Sequence, residues 1–399
     1  MLRQTFLSLR NRNYRLFFIG QSISNTGNWL TRVALVLLVL KLTGSGLQLG
    51  LVTACEFGPV LVLSAWAGAI ADRVDKRYLL ILTQALEMLQ SFGLAALAFM
   101  KQPPLAAIYG LTLIGGALLA FDNPLRRSFV TEMVPKEDIP NAVVLYSLIV
   151  NLSRAFGPAL AGLLVTTVGF GWSFVIDATS YVAVLVCLGM MRPEELHRRP
   201  ATDKSEGSVL EGLRYLAAHP RLWVNFSMLL AIGIMAYNFS VSLPLFVTDS
   251  LHTSDTVFTL LYTIFSLGAV LGALVVAYRN LVGMNQILWG ATAFGLSMLV
   301  LAATPNVASA AAAAFVVGLA HIVYITSTTA LVQVESEPAM HGRVLSIQTV
   351  IIGASKVLGG PLVGWIGDRT GGRLPIVLGG LVCLLSAAVG QLILRRRPG

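Results

Sequence analysis

Apolar residues fall along this chain in twelve long blocks separated by mostly short polar connections. The blocks lie at roughly 14–41, 47–71, 78–100, 104–123, 140–166, 172–191, 223–248, 255–278, 285–304, 308–330, 344–366 and 374–394. A helix crossing a bilayer needs about 20 predominantly apolar residues, and every block reaches that length. Hydrocarbon offers no hydrogen-bond partner to peptide groups, so only helices and closed barrels cross it. The blocks are continuous rather than alternating, which selects helices over barrel strands. The pattern predicts an all-α membrane protein with twelve transmembrane helices.

One connection is long. Residues 192–222 carry Arg192, Glu194, Glu195, Arg198, Arg199 and further charges. They divide the chain into an N-terminal six-helix bundle over 1–191, a central loop, and a C-terminal six-helix bundle over 223–399. Within the loop, Val209, Leu210, Leu213, Leu216 and Ala217 recur at helical spacing, with Glu211 and Arg214 between them. This predicts a short amphipathic helix, either on the membrane surface or as an ordinary linker.

Composition agrees: 56% of residues are hydrophobic and 12% charged, with mean hydropathy +0.76, against about 25% charged in soluble domains. Charge placement gives an orientation, because cytoplasmic connections are rich in Lys and Arg. With the N-terminus in the cytoplasm, only Lys41, Lys101, Arg369 and Arg373 of the 28 basic residues face outward. Arg32, Arg154 and Lys356 lie within blocks. A multi-pass protein of the bacterial inner membrane with both termini cytoplasmic is expected. The same asymmetry, with anionic lipid as partner, accounts for the net charge of +9, so no nucleic-acid partner is expected. The basic start is not read as a signal peptide. Its first block is interrupted by Gln21, Asn25, Asn28 and Arg32 and exceeds the apolar core of about 7–15 residues typical of such peptides. Cys55, Cys187 and Cys383 are odd in number and lie inside blocks, which suits neither a disulfide framework nor a metal site.

The halves repeat. Ser153-Arg154-Ala155-Phe156-Gly157-Pro158-Ala159-Leu160-Ala161-Gly162 aligns with Ser355-Lys356-Val357-Leu358-Gly359-Gly360-Pro361-Leu362-Val363-Gly364. Ser, a cation, Gly, Leu and Gly coincide. Arg15 and Arg73 find counterparts in Arg221 and Arg279. Repeated six-helix halves place a substrate site near the midplane between them and let the halves rock about it.

After the second block comes Gly68-Ala69-Ile70-Ala71-Asp72-Arg73-Val74-Asp75-Lys76-Arg77. This resembles the signature between spans 2 and 3 of the major facilitator superfamily. Asn13-Tyr14-Arg15-Leu16-Phe17, Asp122-Asn123-Pro124 with Arg126-Arg127, and Gly212-Leu213-Arg214-Tyr215 resemble its efflux branch, which includes exporters of siderophores, macrolides and other drugs. The resemblance implies the major facilitator fold, two pseudo-symmetric six-helix bundles. It also implies a conformational gate at the inner membrane surface, built from Gly68, Asp72, Arg73, Asp122, Arg126 and Arg343. There Asp72 would accept from the N-terminus of the eleventh helix, where an anion gains about 0.3–1 kcal/mol. A topology-setting basic loop is the plainer reading. Gly157, Pro158 and Gly162 partly match the antiporter signature of span 5 and suit close helix packing. The resembling drug–proton antiporters carry an Arg within span 4, whereas block 104–123 has none.

Ionisable residues inside a bilayer cost about 2.5–3.5 kcal/mol each on insertion scales and face a cavity or partner. Candidates for substrate or proton binding are Arg32, Glu56, Arg154, Asp177, His321 and Lys356. Matched depth suits Arg32 and Glu56 to an ion pair, either proton-exchanging or static. Arg154 and Lys356, at equivalent repeat positions, favour an anionic ligand group or else snorkel. Asp177 reads as a partly hydrated contact or a relay. Glu87 reads as reaching the inner surface. His321, an imidazole that ordinarily titrates near neutral pH, reads as a proton carrier or a packed core residue. There is no nucleotide-binding loop, metal-ligand cluster or nucleophile motif, so neither an enzyme nor a cofactor is expected, and the proton gradient is the energy source. The expected function is export of small amphipathic molecules, drugs or siderophore-like compounds, by a monomeric proton antiporter. The alternative is a lysolipid or lipid flippase, or an uncoupled facilitator, on the same fold.

Overall fold

The computed structural model describes residues 6–197, 209–279, 283–337 and 340–396. Within these, the side chains at positions 65, 68, 69, 71–73, 155, 209, 210, 277 and 396 are outside the description. The membrane helices are α1 (Arg12–Thr43), α2 (Gly46–Arg73), α3 (Lys76–Ala98) and α4 (Leu105–Val130). Ile139–Gly189 then runs as one element bent at Gly169, whose φ of 85° a side chain disfavours. Its arms, 139–168 and 170–189, are α5 and α6. There follow α7 (Pro220–Ala236, resumed by Phe239–Leu245), α8 (Asp255–Arg279) and α9 (Met284–Ala303). The chain ends with α10 (Val307–Glu335), α11 (His341–Thr370) and α12 (Arg373–Arg396). Eleven helical stretches among the described residues are long and apolar enough to cross a membrane, and the bent one, Lys136–Gly189, spans 54 residues. Counting its two arms gives twelve.

The chain forms two compact units: 1–38 with 58–203, and 39–57 with 204–399. The end of α1 and the first part of α2 therefore belong with the second unit, although they precede the central loop. In the first unit α3 packs on α4 and on the α5–α6 element. In the second, α8 packs on α10, α9 on α10 and α12, and α7 on α11 and α12.

Helices do not associate in lipid by hydrophobic burial, because the tails are as apolar as the side chains; close van der Waals packing at small residues does the work. The glycines show it. A Cβ on Gly318 of α10 would stand 1.9 Å from the Phe265 carbonyl oxygen of α8. Gly295 of α9 and Gly380 of α12 face each other's carbonyls at 2.7 and 2.9 Å in the same sense. Two glycine pairs cross within the second unit: Gly46 and Gly50 of α2 lie against Gly364 and Gly360 of α11.

Contacts within each unit bear the repeat. Gly157 of α5 packs against Trp29 of α1. Its sequence counterpart, Gly359 of α11, packs against Ile234 of α7. Gly20 of α1 meets Val184 and Cys187 of α6, as Gly390 of α12 meets Val224 and Met228 of α7. Pro158 and Gly162 are buried beside Gly157.

The helix of the central loop, Val209–Ala218, rests on protein. Leu216 joins Leu222, Phe226, Val332, Met340, Val344 and Ile347 in one core, and Gly212 sits against Ile347. Its buried positions face α7, α10 and α11, while Leu213 remains exposed.

Gly318→Ala forces α8 from α10 and should destabilise the protein by about 1–3 kcal/mol. Gly110→Ala, in α4 with nothing within 4 Å of the new methyl, should be neutral or stabilise by about 0.5–1 kcal/mol, since Ala suits a helix better than Gly. Thermal unfolding in detergent should order the midpoints Gly110→Ala, wild type, Gly318→Ala, from high to low.

Candidate functional site

The first unit encloses a charged cluster. Arg126 is 3% exposed; its Nε lies 2.5 Å from Asp122 Oδ2, one helical turn away, and its Nη2 lies 3.7 Å from Glu87 Oε2. Gln84 donates from Nε2 to both Glu87 Oε2 and Asp122 Oδ1 at 2.8 Å. Arg126 also donates to Gln21 Oε1 of α1. One turn along α3 from Glu87, Ser91 donates to Asp177 Oδ2 at 2.7 Å, and Thr31 donates to the same oxygen at 2.6 Å.

These contacts change several expectations. The fourth helix runs to Val130, past the end of its apolar block, because Arg126 is neutralised within the bundle. The helix therefore does carry a buried Arg. Glu87 is buried rather than reaching the surface, and Asp177 is sealed from solvent rather than partly hydrated. Asp122 and Arg126, expected at an inner-surface gate, sit inside the first unit. Arg343 pairs with Glu211 of the central-loop helix at 3.1 Å. The side chains of Gly68, Asp72 and Arg73 lie outside the described residues. Farther along the same motif, Asp75 accepts from the Tyr78 N–H and caps α3, and Lys76 pairs with Glu132. Arg77 donates to the Leu188 and Gly189 carbonyls that end α6, where a cation suits the helix dipole.

Arg32 stands 5.6 Å from the Trp29 ring in the first unit; Glu56 belongs to the second. Arg154 is exposed. Lys356 Nζ stands 5.0 Å from the Phe57 ring, a cation–π arrangement. His321 of α10 is half-buried among rings: Tyr237 at 4.8 Å, Phe294 at 5.4 Å, Phe265 at 5.7 Å and Phe239 at 5.9 Å. Tyr237 marks the interruption of α7, where Asn238 turns its side-chain amide back onto the Gly233 and Ile234 carbonyls.

A further feature lies where α11 ends beside the start of α2. Asp368, near the end of α11, accepts from Ser45 Oγ at 2.6 Å and from the Leu47 N–H at 3.0 Å, and also from the Gly46 N–H. A carboxylate thus holds the start of α2, satisfying N–H groups that a helix leaves open. The sequence carried a signal for this clasp: Gly364-Trp365-Ile366-Gly367-Asp368-Arg369, with Arg373 beyond, spells the Gly68-to-Arg77 motif again.

Helices of membrane-crossing length in a repeated pattern define a multi-pass membrane protein, and the matching family and its relatives are membrane transporters, not enzymes. The chain belongs to the transmembrane secretion effector family of the major facilitator superfamily, whose model matches residues 3–397. It is 27% identical to the Staphyloferrin A transporter of Staphylococcus aureus over 71% of this chain and 72% of that protein. It is 25% identical to the multidrug efflux pump Tap of Mycolicibacterium fortuitum over 96% of this chain and 98% of that one. The enterobactin exporter EntS of Shigella flexneri is 26% identical over 65% of this chain and 62% of its own length. Among solved structures, a bacterial homologue of the lysosomal transporter Spinster in an inward-facing, unoccupied conformation shares the fold. Its TM-score is 0.75 at 15% identity, covering 96% of this chain and 97% of that one. The nucleoside transporter NupG does so at TM-score 0.74 and 15% identity, over 96% of this chain and all of that one.

Asp368→Ala leaves the start of α2 without its acceptor and should cost about 0.5–2 kcal/mol, the range for losing a helix cap. Asp368→Asn, which keeps one acceptor oxygen, should cost less. Thermal unfolding checks the order; equal midpoints for both variants and wild type would remove the clasp from the account.

Proposed function

We propose that this chain exports small amphipathic molecules, drug-like or siderophore-like, across a bacterial inner membrane by alternating access, in exchange for protons. The observation that carries the reading is the agreement of its relatives, whose names give a siderophore transporter, a multidrug efflux pump and an enterobactin exporter. The distribution of Lys and Arg supports cytoplasmic termini, and an even number of spans puts both on one side. The protein works as a monomer in contact with anionic lipid, with protons and its substrate as its only small partners.

The second unit supplies chemistry suited to such molecules. The rings about His321 offer an apolar surface with one titratable edge. Lys356 over Phe57 pairs a cation with an aromatic face, which suits a ligand carrying an acidic group beside an apolar one. Arg154, at the matching place in the repeat, supplies a second cation in the first unit. Arg32, Glu56 and Asp177 add further titratable groups for proton exchange, and Gly68, Asp72, Arg73 and Arg343 form the gate at the cytoplasmic side.

Uptake of ethidium, a fluorescent amphipathic cation, into energised everted vesicles tests the reading. Vesicles containing the protein should accumulate the dye faster than empty ones, and a protonophore should abolish the difference. Accumulation indifferent to the protonophore would rule out proton exchange while leaving transport intact.

A further inference from the structure

The first unit holds more polar chemistry than its packing requires. On α1, Gln21, Ser24, Asn28 and Thr31 follow one another on one helical stripe, and Gln84, Glu87 and Ser91 do so on α3. The stripes meet Asp122 and Arg126 of α4 at one end and Asp177 of α6 at the other. Gln21 and Thr31 are about 15 Å apart along α1 at the rise of an α-helix. The seam therefore covers about half of a hydrocarbon core about 30 Å thick.

Its charges do not balance. Glu87, Asp122 and Asp177 are three buried carboxyl groups facing one guanidinium, and Asp177 is near enough to Glu87 for their charges to repel. The other titratable groups about them are the phenols of Tyr146 on α5 and Tyr181 on α6, with Arg127 on α4 acting from farther out. Tyr181 donates to Asn28 at 2.6 Å. Three carboxylates beside one buried cation leave uncompensated negative charge in a low dielectric, which is strongly unfavourable. The excess is two negative charges, and a bound proton on one carboxylate halves it.

Unpaired polar atoms point to a ligand there, and the repeat shows that the fold does not demand the charges. Several buried polar atoms along the seam have no hydrogen-bond partner, among them Gln21 Nε2, Ser24 Oγ, Gln84 Oε1, Asp177 Oδ1 and Ser180 Oγ. Buried polar groups are otherwise almost always paired. Asp177 Oδ1 and Ser180 Oγ both flank Gly27, where a Cβ would stand 2.6 and 2.5 Å from them. The repeat supplies the comparison. Where Gln84 meets Asp122, the second unit sets Gly290 against Tyr324. The place of Asp177 falls to Cys383, which is fully buried. The second bundle thus closes without these charges.

We propose that this seam of α1, α3, α4 and α6 is the proton-binding site of the carrier. Its carriers are Asp177 and the Glu87–Asp122 pair, and Gln84 and Ser91 connect them. The proton arrives as a hydrated ion, forms one carboxylic acid O–H, and leaves from it when the site next opens; Arg126 stays charged throughout. The proposal rests on the proton-exchange reading above and names the site at which exchange occurs.

The test is pH-difference infrared spectroscopy of the full chain in phosphatidylethanolamine–phosphatidylglycerol liposomes, between mildly alkaline and mildly acid buffer. Wild type should show the carbonyl band of a buried carboxylic acid, shifting slowly in D2O. Glu87→Gln and Asp177→Asn should each remove part of that band, and Glu195→Gln, an exposed control, should leave it whole. Ser91→Ala keeps all three acids and should shift the Asp177 component without loss of area. A wild-type protein without a titrating carboxylic-acid band, or a band that none of the three seam variants changes, overturns the proposal. The vesicle experiment reads exchange separately. Protonophore-sensitive transport with an unchanged band places the proton elsewhere and keeps the exchange reading. A titrating band without protonophore-sensitive transport defeats both.

Discussion

Hydrocarbon neither hydrates a polar group nor drives helices together, and both facts govern this chain. Peptide groups must be paired within each helix, and helices must be drawn close enough for dispersion to hold them. The glycine crossings answer the second demand: Gly268 and Gly318 between α8 and α10, Gly295 and Gly380 between α9 and α12, Gly46 and Gly50 on Gly364 and Gly360. Asp368 answers the first at a place where helix geometry cannot, by accepting from the open N–H groups of α2. The same carboxylate and the two glycine pairs act on one crossing, so the start of α2 is fixed in register as well as in distance.

Against that background the two units divide the chemistry. The first buries its ions, with Arg126, Glu87 and Asp122 joined through Gln84 and Asp177 held by Thr31 and Ser91. The second gathers aromatic rings around His321 and sets Lys356 over Phe57. Diverged copies of one six-helix plan have thus kept their contacts and exchanged their contents. A proton asks for paired carboxyl groups in a low dielectric, whereas an amphipathic solute asks for rings with an occasional charge, and the two demands conflict if met by the same side chains.

Most of the architecture was legible because its cause is one-dimensional. Bilayer thickness sets block length, so twelve blocks appear as twelve spans, and the Ser153-to-Gly162 and Ser355-to-Gly364 alignment emerges as Gly157 on α1 and Gly359 on α7. The misreadings arose where pairing in space overrides local polarity. Arg126 ends an apolar block in sequence but not a helix in space, since Asp122 and Glu87 neutralise it. Glu87 looks like a surface residue only until Gln84 and Arg126 are placed beside it. The central-loop helix has a membrane-like apolar stripe, yet α7, α10 and α11 cover Leu216. The grouping of 39–57 with the second unit is a property of tertiary packing that no local pattern encodes. The Asp368 clasp is legible in the sequence, because its motif is written out a second time.

We propose that movement of solute and movement of protons through this carrier are one process. Liposomes containing the purified protein and a trapped pH dye test it directly when an ethidium gradient is imposed with no membrane potential. The account predicts a pH change in the lumen that requires both protein and dye, and that reverses sign when the gradient is reversed. Dye equilibrating across the membrane while the lumen pH stays constant would contradict it.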